Sequence, residues 1–84
     1  MAKKNNNKTV VEIFGESYAL KGDADIEYMK KTAKLVDDYM RKAAYQTRSF
    51  DNRKIAVLAS LQLADDYLKL KKDYDELMAL FDEK

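Results

Sequence analysis

From Lys8 to Lys21, β-branched and aromatic residues cluster in Thr9-Val10-Val11-Glu12-Ile13-Phe14 and again in Ser17-Tyr18-Ala19-Leu20. Segments of that type and length predict two short strands. Gly15-Glu16 stands between them, and a glycine at the first central position suits a two-residue type II′ turn, where that position needs positive φ. The expected product is a hairpin with Val11 and Ile13 on one face, and with Tyr18 and Leu20 presenting apolar groups from the second strand. A lone hairpin is barely stable in water, so this one has to lie on a helix or join the strands of another chain.

Beyond Gly22 the period lengthens. Ile26, Met29, Ala33, Val36, Met40 and Ala43 recur at steps of three and four and gather on one stripe of a helix running to about Tyr45. Asp23 is the expected N-cap, with Asp25 and Glu27 placed to meet the positive end of the helix dipole. Lys30, Lys31, Lys34, Asp37, Asp38, Arg41 and Lys42 fill the other faces and read as solvated surface. Gln46 to Asn52 interrupts the pattern, Ser49 or Asp51 can cap the next helix, and Phe50 reads as a lid on the local core.

A second helix is predicted from Asn52 to about Glu83. Leu63, Tyr67, Leu70, Tyr74, Leu77 and Phe81 step alternately by four and three, a heptad seam continued upstream by the small residues Ala56 and Ser60. The first half, from Ile55 to Ala64, is apolar nearly all round and calls for two neighbours. One face, through Ile55, Leu58, Leu61 and Leu68, is expected to take the hairpin and the first helix. The seam is then left for a second copy of the chain. At 1.5 Å per residue the helices measure about 33 and 48 Å, so antiparallel packing leaves an overhang of about 15 Å carrying Tyr74, Leu77 and Phe81. With Tyr67 at position a, Asp66 falls at g and Lys71 at the next e, which favours parallel pairing slightly. The resulting fold class is α+β: a disordered polar arm over residues 1–7, a hairpin-and-helix head over 8–62, and a coiled-coil-like association helix over 63–84 continuous with the second helix.

Composition narrows the function. A chain of 84 residues has little core of its own, and without Cys or His it lacks disulfides and the commonest soft metal ligands, so association is the remaining supplement. The missing His and Cys also remove the usual general base and best nucleophile, and Gly15 and Gly22 stand too far apart for a phosphate loop. Neither Asp37-Asp38 nor Asp65-Asp66 forms an acid pair, because adjacent helical positions point about 100° apart. No enzyme, cofactor or small-molecule substrate is expected. Sixteen Lys and Arg against 15 Asp and Glu give a net charge of +1, which offers no general attraction for nucleic acid or anionic lipid. No apolar run is long enough to cross a bilayer and the start has no export-type apolar segment, so a cytoplasmic protein is expected.

Three stretches resemble one family. Val11-Glu12-Ile13-Phe14-Gly15-Glu16-Ser17-Tyr18, then Asp25-Ile26-Glu27-Tyr28 with Ala33, then Ile55 to Leu68, read IAVLASLQLADDYL, are similar to the ZapA family of bacterial cell-division proteins. The resemblance implies a dimeric head, paired second helices often assembled into tetramers, and binding to the tubulin-like division protein FtsZ, whose filaments it crosslinks at mid-cell. It leaves homodimer and homotetramer both open. One departure is Glu16, where the family frequently has a basic residue. On this reading Ala56, Ser60, Leu63, Tyr67, Leu70, Tyr74, Leu77 and Phe81 carry oligomerisation. Glu16, Lys21, Arg48, Arg53 and Lys54 are the candidate FtsZ contacts.

Two other classes share parts of the pattern. A dimeric ribbon-helix-helix DNA-binding regulator has a strand followed by two helices, though a full hairpin and a near-neutral charge speak against it. A general oligomerisation adaptor is the third.

Overall fold

The computed structural model describes residues 7–82 and has the order β1 (Asn7–Ile13), β2 (Glu16–Gly22), α1 (Ile26–Thr47) and α2 (Asn52–Asp82). The expected arm over residues 1–7 lies outside the described residues except for Asn7, which opens β1 and whose side-chain amide donates to the Ala24 carbonyl at 2.8 Å.

The strands pair antiparallel from Asn7↔Gly22 to Ile13↔Glu16, so the turn residues are Phe14 and Gly15. This corrects the expected Gly15-Glu16 turn by one residue. Both central residues have positive φ, 50° at Phe14 and 83° at Gly15, which makes the turn type I′. Gly15 adopts such a φ freely, whereas Phe14 is strained in it. The strain is held from outside the hairpin: Asp37 Oδ1 on α1 accepts the Phe14 N–H at 2.6 Å, while Asp37 Oδ2 accepts from Arg41 Nε at 2.8 Å. Asp37, read from the sequence as surface acid, is a buried clamp.

The Arg41 guanidinium and the Phe14 N–H together hold the Asp37 carboxyl below the usual carboxylate range. A lowered folded pKa stabilises the fold above the unfolded value of about 3.9, and that contribution is lost as pH falls through the folded value. Asp37→Ala leaves the Phe14 N–H without a partner and is expected to cost about 1 to 3 kcal/mol in urea unfolding at pH 7. The difference from the unmodified chain should shrink below about pH 4.

Register places Thr9, Val11 and Ile13 beside Leu20 and Tyr18 on one sheet face. β1 is the strand that packs on α1, with Val11 buried near Ala33, and β2 is the outer strand. Asp25, not Asp23, precedes α1, and its carbonyl accepts from Met29 N. At the other end Arg48 takes the left-handed conformation, φ 57°, and its N–H closes on the Ala44 carbonyl. Asp51 caps α2, its Oδ1 accepting from Arg53 N at 3.0 Å.

α1 and α2 meet near the link, where Ala43 packs on Ile55 and Ala59 and small side chains let the backbones approach. Gln62 Nε2 donates to Gln46 at 2.9 Å, and Tyr39 donates to Asp66. Asp66 is thus engaged within its own chain and not left for a g-to-e ion pair. Past this point the helices diverge, giving a flat shape of 53 × 45 × 15 Å. Among the described residues, no helix is long and apolar enough to cross a membrane.

Candidate functional site: an uncovered helix seam and a charged head

Every residue of α2 from Ala64 to Asp82 is exposed. The exposed stretch of α2 is therefore longer than the overhang expected from Tyr74 onward, because beyond the Tyr39–Asp66 hydrogen bond α1 no longer runs alongside it. Among the seam positions Ala56 and Leu63 are half-buried and Ser60 is exposed. Tyr67, Leu70, Tyr74, Leu77 and Phe81 are all at least half exposed, with Phe81 reaching 74%. Their alternating spacing sets them on one side of the helix as a continuous apolar stripe. Leu61 and Leu68, expected to lie under the hairpin and α1, are also exposed. They sit on the side of α2 away from Ile55 and Ala59, so helical geometry carries them out of reach of α1.

The upper end of the seam opens into a groove of about 590 Å³ between hairpin, α1 and the start of α2, whose walls include Tyr18, Leu20, Val36, Met40 and Ala56. Ala56 belongs to both groove and seam, so the groove stands at the upper end of the stripe. Whole-chain quantities agree. The accessible surface is 7218 Å², whereas a compact monomer of 9.8 kDa is expected to show about 5,200 Å². The radius of gyration is 17.0 Å, against about 12 Å for a compact chain of this length.

The charged head residues divide by position. Glu16 and Arg53 line the apolar groove together, and Lys54 follows Arg53 on the first turn of α2. Glu16 also accepts a hydrogen bond from the Tyr18 hydroxyl at 2.9 Å, which raises the tyrosine pKa. Arg48 lines a second groove of about 620 Å³ with Phe14, Tyr45 and Phe50. Lys21 stands at the opposite end of β2, five residues along the strand from Glu16, and is not brought to the others.

Phe50 corrects the sequence expectation. It is 99% exposed and covers no core. The sequence offered no signal for this, since a lone aromatic in a link reads the same whether it points in or out. Asp37 was equally hidden, because its partner Phe14 lies 23 positions away.

Comparison with known proteins gives consistent matches. The family model described as "Cell division protein ZapA" matches residues 9–84. A cell division protein ZapA of Bacillus pumilus is 38% identical over 84 residues, covering 100% of this chain and 99% of that one. Its counterpart in Geobacillus sp. (strain WCH70) is 33% identical over 78 residues, covering 93% and 90%. The solved structure of a ZapA mutant dimer from Geobacillus stearothermophilus superposes with a TM-score of 0.75 at 30% identity, covering 99% of this chain and 96% of that one.

Proposed function

Since the chain belongs to the ZapA family of cell division proteins, we propose that it is a non-catalytic protein that pairs with copies of itself through α2 and joins FtsZ filaments. The observation that carries this reading is the uncovered apolar seam of α2 from Tyr67 to Phe81. Burying one large apolar side chain is worth about 1.5 to 3 kcal/mol. The Tyr67, Leu70, Tyr74, Leu77 and Phe81 side chains of two copies together can outweigh the roughly 4 to 15 kcal/mol that association costs. The similarity to a ZapA mutant solved as a dimer supports self-association.

Pairing through α2 sets one head on each copy, and two heads let individually weak contacts hold two filaments together. Glu16, Arg48, Arg53 and Lys54, with Lys21 further along the sheet, are the charged head positions proposed to meet FtsZ. The protein then works in the cytoplasm at the mid-cell division site. A DNA-binding role has less support, because a two-stranded hairpin precedes α1 and the net charge is only +1.

The test is to mix the purified protein with GTP-polymerised FtsZ, pellet the filaments and follow bundling by light scattering. Co-pelleting with a rise in scattering is expected; a protein that stays in the supernatant while the filaments remain single would refute the reading.

A further inference from the structure

The link between α1 and α2 is short, and its backbone is tied down at nearly every step. Arg48 N–H donates to the Ala44 carbonyl, Ser49 N–H to Thr47 Oγ1, Asp51 N–H to Ser49 Oγ and Arg53 N–H to Asp51 Oδ1, at 2.8 to 3.3 Å. A link fixed in this way presents Phe50 to water, 99% exposed, next to Tyr45, itself 83% exposed. Arg48 sits between them in sequence and ends α1 in the left-handed region at φ 57°. Exposure of two aromatic rings does nothing for the core of this chain.

The surroundings define what would fit. Phe50, Tyr45, Phe14 and Ile55 give the groove an apolar wall, and among the described residues Arg48 is its one charged lining residue. Arg53 and Lys54 lie outside the groove on the first turn of α2, where the two cations outnumber the one neighbouring carboxylate, Asp51, whose Oδ1 accepts from Arg53 N. Aromatic rings with an arginine beside them are the composition of binding hot spots, and the planar guanidinium fits a carboxylate in two-point contact. The site lies at the start of α2, at the opposite end of a 31-residue helix from Phe81. A ligand there does not compete with pairing through Tyr67 to Phe81.

Resting on the reading of this chain as a filament-binding protein, we propose that Phe50 and Tyr45, with Arg48 beside them in the groove and Arg53 and Lys54 on the adjoining turn of α2, form a preorganised anchor for an acidic protein segment that carries an apolar side chain. The apolar side chain packs between the two rings, and its flanking carboxylates meet the cations. Because the link is already ordered, little conformational entropy is lost on binding.

The test compares the unmodified full chain with Phe50→Ser, Phe50→Leu and Arg48→Glu in co-pelleting titrations with FtsZ filaments, with sedimentation mass and helicity recorded for each. Phe50→Ser should keep both mass and helicity yet weaken filament binding by about tenfold or more. Phe50→Leu should recover much of that loss, and Arg48→Glu should bind weakly while losing part of the salt dependence of the unmodified protein. Phe50→Ser binding filaments as the unmodified chain does would overturn the anchor while leaving the filament reading intact. A changed sedimentation mass in Phe50→Ser would overturn it too, by making Phe50 a contact between copies. Failure of the unmodified chain to co-pellet would remove both readings together.

Discussion

Leu70→Asp is expected to abolish self-association and to take most of the folded population with it. Leu70 lies in the middle of the seam and is 69% exposed in the single chain, so the substitution removes nothing from the chain's own core. Its effect arises only when two seams close. Each copy then buries a carboxylate with no partner, at about 3 to 5 kcal/mol per charge, and the two charges face each other. At 1.4 kcal/mol per decade, the pair weakens association by roughly 10⁴-fold or more. The head has little to fall back on, since its buried apolar residues are Val11, Met29, Ala33, Ala43, Ile55 and Ala59, half of them alanines. Helical circular dichroism at micromolar concentration should therefore drop sharply. A variant with undiminished helicity and unchanged mass would show that the seam is not where copies meet.

The second large effect is at Ile55. It is 2% exposed and is the largest fully buried side chain among the described residues, wedged between Ala43 and Ala59 with Phe14 and Leu58 against the cluster. Ile55→Ala removes three carbons where α1, α2 and the hairpin turn converge, and is expected to cost about 2 to 5 kcal/mol. That is a large part of the roughly 5 to 15 kcal/mol typical of a domain. Urea unfolding at fixed protein concentration measures it, and a loss below about 1 kcal/mol would mean that the head core lies elsewhere.

The elements that could be read from the sequence are those whose signal is local and periodic. The strands around Val11 and Tyr18 follow from β-branched and aromatic content, and both helices follow from three-and-four spacing, with α2 starting at Asn52 as expected. The seam was visible because Leu63 to Phe81 repeats without interruption, and the mismatch between helix lengths already implied that part of it stays uncovered. The features that escaped depend on residues far apart in the chain. The turn falls one residue earlier than the glycine suggested, and there the Phe14 N–H is bonded to Asp37 on α1. Asp66 looked available for a partner chain but is bonded to Tyr39. The angle between α1 and α2, which no periodicity encodes, enlarged the free length of α2. Phe50 marks the limit of the rule that apolar residues belong inside: the hydrogen-bonded link turns it outward, and its neighbours Tyr45 and Arg48 acquire a common site only in three dimensions.

Sedimentation equilibrium of the unmodified chain, run over a wide concentration range with helicity followed on the same dilutions, tests most directly whether another copy covers the α2 stripe. The expected result is a mass of at least twice 9.8 kDa, with helicity and assembly lost together on dilution. A folded, compact species of 9.8 kDa persisting at high concentration would contradict it.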